Sequence, residues 1–193
     1  MEIENHHHYK VYKPYGFISQ FITNDSKAKN KKFLGELYDF PEGIMAIGRL
    51  DEKSEGLLLL TTNGKLSYLI NSRKVEKEYY AQLDGEISTE AINQLQQGVD
   101  IGLNGKTYST KPCIVSKIDK PNFPERGKKI RDERHGPTSW VSITIKEGKF
   151  RQVRKITAVV GFPTLRLVRV RVGEIYLLAM VPGEVVPIKD FKV

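Results

Sequence analysis

The sequence predicts an α+β fold with a mixed, largely antiparallel sheet and flanking helices. Two stretches, Glu76–Gly85 and Trp140–Lys146, alternate apolar and polar residues as half-buried strands do. Asn104-Gly105 between two apolar stretches is a strong hairpin signal, and strands joined by a hairpin are antiparallel. The short helical patterns follow the strands in an irregular order, which is typical of the α+β class.

Composition limits the partners and the compartment. The 193 residues suit one domain, or two small lobes that share a cleft. The 31 basic against 23 acidic residues give a net charge of +8, which favours a polyanionic partner such as nucleic acid. Cys113 is the only cysteine, so an internal disulfide is excluded. The apolar runs are far shorter than the ~20 residues that span a bilayer, and no signal peptide pattern begins the chain. We therefore expect a cytoplasmic protein without a membrane segment.

The N-terminal third predicts a strand and a polar loop. Tyr9–Gln20 alternates until Pro14 and Gly16 interrupt it, which indicates a strand that ends in a turn. Asn24–Lys32 is polar and basic, and we interpret it as a solvated loop that could also contact phosphates. The three neighbouring residues His6–His8 cannot readily converge on one ion, because adjacent side chains of a strand point to opposite faces. We predict no metal site.

An aspartate lies between two predicted strands. Met45–Ile47 is a short apolar run, and the four leucines Leu57–Leu60 predict a strand buried on both faces. Asp51 lies in the loop between them, at the rim of the core. Rigid flanking elements would fix its position, as catalysis requires. The alternative is that the Asp51 side chain only caps the turn, as Asp commonly does.

The middle of the chain predicts two helices, a strand and a long loop. Lys65–Asn71 has helical spacing, and Ser88–Gly98 reads as a helix capped by its serine and ended by its glycine. Lys111–Ile118 should form a strand. Lys120–Pro137 is rich in lysine, arginine and proline, and loops of this length are usually functional or disordered. RNA contact and solvated disorder both remain open for it.

The C-terminal third predicts a basic helix and two strands. Lys149–Gly161 places Arg151, Arg154 and Lys155 on one helical face, opposite an apolar face. Val168–Val172 alternates as a strand. Its two arginines would share one face, where they could meet phosphates. A final strand and turn follow Gly173.

The segment around Asp51 resembles a family signature. Gly48–Asp51, Ser54–Thr61 and Asn63-Gly64 together are similar to the signature of the RsuA/RluB/E/F-type RNA pseudouridine synthases. In that family the Asp of the Arg-Leu-Asp triplet is catalytic, which implies that Asp51 is the catalytic residue. Tyr12–Gly16 resembles the family's opening motif, with Tyr12 where relatives usually carry Asn.

Two further motifs extend this resemblance. Lys77–Tyr79 matches the family's Lys-x-Tyr motif, which implies that Tyr79 lines the active site and packs on the target base. Gly148–Val172 strongly resembles the C-terminal signature. The arginine of that signature that pairs with the catalytic Asp is here Arg154.

The resemblance implies an architecture and a branch of the family. It implies a sheet bent around a basic cleft, and a single catalytic domain over residues 1–193, arranged as two lobes around that cleft. Many relatives carry an N-terminal S4-like RNA-binding domain, for which there is no room before Tyr9. In this respect the chain resembles the E-type branch, which acts on large-subunit rRNA.

The expected function is isomerisation of a specific uridine in RNA, most of all 23S rRNA, to pseudouridine. We expect a monomeric enzyme that needs neither a metal nor a nucleotide cofactor. Two alternatives stay open: a non-catalytic RNA-binding or ribosome-assembly factor on the same fold, and the same chemistry on another RNA. We expect RNA contacts from these basic residues: Lys13, Arg49, Lys77, Arg151, Lys155, Arg169 and Arg171.

Overall fold

A computed structural model of the chain describes residues 6–22, 30–72, 75–131 and 133–191. Within these residues strands dominate and three α-helices accompany them, so the predicted α+β class is confirmed. Most of the predicted loop Asn24–Lys32 lies outside the described residues. The elements in chain order are β1 (His8–Lys13), β2 (Phe17–Ile18), β3 (Lys32–Phe33), β4 (Met45–Ile47), β5 (Glu55–Thr61), α1 (Gly64–Ser72), β6 (Lys77–Asp84), α2 (Thr89–Gln97), β7 (Asp100–Leu103), β8 (Lys106–Ser109), β9 (Ile114–Ile118), β10 (Thr138–Ile145), α3 (Gln152–Val159), β11 (Thr164–Val172), β12 (Ile175–Tyr176) and β13 (Val185–Ile188).

The chain divides into two compact units. The first unit comprises Met1–Val75 and Arg169–Val193, and the second unit comprises Glu76–Val168. The boundary falls within β11, whose residues from Arg169 onward belong to the first unit.

The first unit is built on antiparallel strand pairs around β5. β1 pairs with β5 and with β13, and β4 pairs with β5. Every residue of β5 is buried, which confirms the prediction from Leu57–Leu60. β4 is less buried than expected, because Met45 at its start is exposed. β5 is therefore the rigid element that carries the loop of Asp51.

The second unit contains the antiparallel set β6–β10–β9 and the hairpin β7–β8. The hairpin turns at Asn104 and Gly105, whose φ angles of 51° and 75° are the positive values that such a turn needs. Ser88 caps α2 by accepting a hydrogen bond from the amide of Ala91 at 3.2 Å, and Gly98 ends it with a φ of 94°. The predicted hairpin at Asn104-Gly105 and the predicted helix with its serine cap and glycine end are therefore confirmed.

Two predicted boundaries are wrong. β9 begins at Ile114 rather than at Lys111, because Pro112 has no amide hydrogen and the amide of Lys111 donates to Glu147 at 2.9 Å. α3 begins at Gln152, because Arg151 adopts a left-handed conformation with a φ of 52° that cannot continue a helix. Arg151 therefore precedes the helix instead of sharing its face with Arg154.

β10 is buried on both faces, although its alternation predicted a half-exposed strand. Val141, Ile143 and Ile145 are buried as expected. Trp140 on the opposite face is also buried, since the ring of Phe123 packs on it at a centroid distance of 6.0 Å. The long loop that carries Phe123 thus covers this face.

Candidate active site

Asp51 lies in a short loop between β4 and β5. The two strands pair antiparallel with Ile47 opposite Leu59, so the loop emerges at one end of the pair. The amide of Ser54 donates to the backbone carbonyl of Asp51 at 3.0 Å and closes a turn. Asp51 is partly exposed. The loop therefore holds a carboxylate at the rim of a buried strand.

Ser19 fixes the residue before Asp51. The amide of Leu50 donates to the Ser19 hydroxyl oxygen at 2.9 Å, and that hydroxyl donates to the Leu50 carbonyl at 2.8 Å. Both residues are buried. A single hydroxyl thus satisfies both backbone polar groups of Leu50, which would otherwise be buried without partners. Sequence reasoning missed Ser19, because no local pattern links it to a residue 31 positions away.

Lys13 stabilises the same loop through buried hydrogen bonds to backbone carbonyls. Its side chain is 0 % exposed, and its ammonium donates to the carbonyls of Phe17 at 2.6 Å, Pro14 at 3.0 Å and Glu52 at 3.4 Å. The amide of Gly16 donates to the same Glu52 carbonyl at 2.9 Å. The turn after β1 and the loop of Asp51 are therefore tied together at Glu52. The prediction that Lys13 contacts RNA is wrong, because a buried ammonium that already binds carbonyls cannot reach a phosphate.

Buried charges surround this lysine. Glu55 is 1 % exposed and Arg169 is 3 % exposed. Burial lowers the pKa of Lys13 to about 7, while the negative charges of Glu55 and Asp51 oppose that shift. The Arg169 Nε donates to the Leu57 carbonyl at 2.7 Å. A direct phosphate contact of Arg169 is therefore also contradicted, because its guanidinium lies inside the first unit.

Gly48 and Arg49 form the entrance to the loop. Gly48 has a φ of 71°, and a side-chain carbon there would lie 3.2 Å from the Asn71 Oδ1. Glycine is thus favoured by both its conformation and the space around it. Arg49 is exposed. Because the side chain is exposed, a contact with RNA is sterically possible, and that contact stays a prediction.

Tyr79 lies in β6 of the second unit. It is 9 % exposed and shares its face with Ala81 and Leu83, opposite Ile143 of β10. Tyr80 points to the other face, where its ring lies 6.0 Å from that of Phe123. The two neighbouring tyrosines therefore lie on opposite faces of the sheet, as the alternation of this strand predicts.

Glu147 organises the start of α3, from which Arg154 projects. Its carboxylate accepts hydrogen bonds from the Tyr108 hydroxyl at 2.6 Å, the Lys111 amide at 2.9 Å and the Gln152 side chain at 2.6 Å. Burial raises the pKa of this carboxyl, but these hydrogen bonds outweigh burial and the net pKa is lowered. Sequence reasoning missed Glu147, because two of its donors, Tyr108 and Lys111, lie more than 30 positions away in the sequence.

Arg154 is partly buried in the first turns of α3. Its Nη1 donates to the carbonyl of Thr164 at 3.3 Å, which ties the side chain to the start of β11. The hydroxyls of Thr157 and Thr164 are 2.7 Å apart and join the same two elements. The guanidinium is therefore held by the fold of the second unit.

The other predicted RNA contacts differ in availability. Arg151 is exposed and Lys77 is partly exposed. Lys155 donates to the Gly102 carbonyl at 2.6 Å and lies over the Phe150 ring. Arg171 donates to the Gly173 carbonyl at 3.1 Å. Lys155 and Arg171 thus hold backbone within their own units, and the RNA contacts of all four residues stay predictions.

Asp51 belongs to the first unit, whereas Tyr79 and Arg154 belong to the second. The pairing of Asp51 with Arg154 stays a prediction. Over the described ranges, no helix is long and apolar enough to cross a bilayer. Those ranges also contain no group of three or more His, Cys, Asp or Glu side chains placed to hold a metal ion.

Comparison with known proteins gives consistent matches. The family model described as RNA pseudouridylate synthase matches residues 7–158. The chain is 40% identical over 174 residues to the ribosomal large subunit pseudouridine synthase E of Vibrio parahaemolyticus, covering 89% of this chain and 69% of that protein. The E enzyme of Xanthomonas campestris is 39% identical, with 89% and 90% covered. The B enzyme of Bacillus subtilis is 31% identical, with 88% and 62% covered.

Solved structures agree on the fold. A crystal structure of a pseudouridylate synthase superposes with a TM-score of 0.76 at 25% identity, covering 96% of this chain and 71% of the other. The human RNA pseudouridylate synthase domain containing 1 shares the fold at a TM-score of 0.55 and 15% identity, with 94% and 78% covered. The resemblance seen in the motifs is thereby confirmed, and the chain belongs to the RNA pseudouridylate synthase family.

Proposed function

We propose that this pseudouridine synthase isomerises a specific uridine of large-subunit rRNA, with Asp51 as the catalytic carboxylate. The position of Asp51 carries the proposal: it is a partly exposed acid in a loop that Ser19 and Lys13 hold against the buried strand β5. Such support fixes a reacting group to the precision that catalysis needs. The E enzymes at 39–40% identity supply the substrate class.

The reaction is an internal rearrangement. The bond between ribose C1′ and uracil N1 breaks, the uracil turns, and a bond forms between C1′ and C5. The hydrogen on C5 leaves to water, and N1 ends with a hydrogen, so no redox partner or group-transfer cofactor is needed. A carboxylate can act as nucleophile at the ribose or as a base, and both roles remain within the proposal.

Arg154 and Tyr79 complete the proposed site. An arginine within ~4–6 Å of Asp51 would favour its ionised form, and bidentate geometry suits guanidinium better than ammonium. The Tyr79 ring would pack on the target base. The uridine must leave its helix, which costs a few kcal/mol, and stacking on an aromatic ring can offset part of that cost.

The alternatives differ in testable ways. A non-catalytic RNA-binding or assembly factor would have no physical reason to keep Asp51, Tyr79 and Arg154 together. The same chemistry on tRNA or small-subunit rRNA would leave these residues unchanged. The proposal places the enzyme in the cytoplasm as a monomer, and it requires neither metal nor nucleotide cofactor.

Tritium release tests the proposal. Protein-free 23S rRNA, tRNA and 16S rRNA transcripts carrying tritium at uridine C5 are incubated with the protein, and released tritium is counted. We expect release from 23S rRNA, with one modified site that carbodiimide-dependent primer extension locates. Release from another RNA alone would change the substrate, and no release from any of the three would contradict the catalytic proposal.

A further inference from the structure

We propose that the segment between β3 and β4 forms a docking cavity for an arginine- or lysine-bearing segment of another protein. The cavity has a volume of about 650 Å³ and lies within the first unit. Phe21 and residues between positions 35 and 44 line it. The inference is independent of the proposed function, because none of these residues belongs to the proposed isomerisation site.

An aromatic cluster forms one wall of the cavity. The Phe40 ring is at its centre and lies 5.2 Å from the ring of Tyr38, 5.4 Å from that of Phe21 and 5.5 Å from that of Tyr9. The contacts with Phe21 and Tyr9 are edge-to-face, a favourable geometry for aromatic pairs. Tyr9 belongs to β1 and is buried, so it fixes the cluster to the sheet. Tyr38 is 46% exposed, so part of its ring is left for a ligand.

Hydrogen bonds fix the backbone that carries this wall. The segment begins with a single helical turn, Leu34–Glu36, and the Glu36 carboxylate accepts a hydrogen bond from the amide of Phe33 at 2.7 Å. The amide of Leu34 donates to the carbonyl of Gln20 at 3.0 Å, and the Leu34 side chain is fully buried. The cavity is therefore formed before a ligand arrives, which lowers the entropic cost of binding.

The charge of this segment is opposite to that of the whole chain. Residues 33–48 contain three acidic and no basic residues, although the chain has a net charge of +8. Glu36 and Asp39 line the cavity, Glu42 precedes the lining residue Gly43, and all three carboxylates are exposed. Within the part of the chain that the structure describes, the side chains of Asp39 and Glu42 form no hydrogen bond or ion pair. These carboxylates would repel RNA phosphates, so the cavity suits a cationic ligand.

Aromatic rings beside carboxylates select a cation on an apolar stem. Arginine and lysine side chains have both parts: the charged head is attracted to the face of an aromatic ring and to carboxylates, and the stem packs on apolar surface. The volume of the cavity is in the usual range for ligand sites, and it can hold more than one side chain. A protein segment that carries cationic and apolar residues therefore fits it.

Fluorescence anisotropy with a labelled octapeptide of alternating arginine and leucine tests the inference on the full chain. Because the protein as a whole is basic, it repels this peptide elsewhere on its surface, and saturable binding would report the acidic cavity. We expect saturable binding at one site. A peptide of alternating glutamine and leucine should bind at least about fivefold more weakly, since it lacks the cation.

Two sets of variants locate the site. Asp39→Asn/Glu42→Gln should raise the Kd of the arginine peptide about fivefold, because two exposed ion pairs are lost. The matched control Asp119→Asn/Glu174→Gln removes two exposed carboxylates that do not line the cavity, and it should change the Kd by less than about twofold. Tyr38→Ala should raise the Kd about threefold, whereas Tyr38→Phe keeps the ring and should bind like the wild type.

Several results would overturn the inference: no saturable binding of the arginine peptide, equal binding of the glutamine peptide, or equal losses in the two double variants. Weaker binding of oligouridine by Asp39→Asn/Glu42→Gln would assign the cavity to a nucleotide instead. A wild-type dimer that Tyr38→Ala converts to a monomer would assign it to a second copy of the chain.

Thermal unfolding verifies the fold of each variant. The double variant Asp39→Asn/Glu42→Gln keeps the aromatic cluster, so it decides the outcome even where Tyr38→Ala fails to fold. Its tritium release should equal that of the wild type. A wild-type protein that binds the peptide but releases no tritium refutes the proposed function and leaves this inference intact.

Discussion

Replacing the buried Lys13, which binds the loop of Asp51, should destabilise the protein without weakening RNA contacts. Lys13→Met keeps the apolar stem and removes the ammonium from three carbonyls. Its hydrogen bond to Phe17, at 2.6 Å, is short, and its hydrogen bond to Pro14, at 3.0 Å, has the usual length. A stranded buried acceptor costs about 1–3 kcal/mol, which gives about 2–6 kcal/mol for two. The variant also no longer buries a charge, which offsets part of this cost. We therefore expect the free energy of unfolding to fall by about 2–4 kcal/mol.

The same substitution has a pH signature. Burial lowers the pKa of Lys13 from 10.5 to about 7. Between these two values the unfolded chain binds a proton that the folded protein does not, so the wild type gains stability as pH rises through this window. Lys13→Met lacks this contribution. The stability difference between wild type and variant should therefore grow from pH 7 towards pH 10.

Urea denaturation at several pH values measures both effects, with Lys10→Met as the matched control. Lys10 lies in the same strand but is partly exposed, so its loss should change the unfolding free energy by less than about 1 kcal/mol. RNA affinity and its salt dependence are measured in parallel. An unchanged stability of Lys13→Met, together with a shallower salt slope, would show that Lys13 contacts phosphate and would refute the structural role.

The remaining predictions concern the support and chemistry of the site. Ser19→Ala should lower the free energy of unfolding by about 1–3 kcal/mol, because the amide and the carbonyl of Leu50 both lose their partner. It should also lower turnover while RNA affinity stays unchanged. The pKa of Glu147 lies below its ordinary value of 4.5, so the ionised carboxylate stabilises the folded protein at pH values above 4.5. This contribution is lost as the pH falls through the lowered pKa. Urea denaturation should thus show that the stability difference between wild type and Glu147→Gln shrinks on acidification below pH 4.5. Tyr79→Phe should keep RNA affinity because the ring remains; weaker binding would contradict stacking, and slower turnover alone would assign the hydroxyl to proton transfer. Arg154→Lys should slow single turnover about tenfold or more, and an unchanged rate would remove the arginine from the mechanism.

Local patterns predicted the elements well, because each depends on neighbouring residues. The Asn104-Gly105 hairpin and the capped helix α2 follow from chemistry within a few positions. The burial of Trp140 did not follow from its strand pattern, because Phe123 reaches it from a distant loop. The left-handed Arg151 at the start of α3 was equally invisible to helical periodicity.

The site was predictable as a set of motifs but not as a set of contacts. The resemblance selected Asp51, yet Ser19 and Glu147 escaped notice because Leu50, the partner of Ser19, and Tyr108 and Lys111, two donors to Glu147, are remote in sequence. Lys13 and Arg169 were predicted to contact RNA, the arginine because the alternation of its strand places it on one face with Arg171. Their burial depends on carbonyls and carboxylates that only the folded chain brings together.

The Asp51→Asn variant tests the assignment of the catalytic carboxylate most directly. The amide keeps the size of the side chain but cannot act as a nucleophile or base. Single-turnover tritium release from 23S rRNA should fall on the order of a thousandfold or more, while RNA affinity stays within about twofold of the wild type. Turnover at the wild-type rate in this variant would contradict the account.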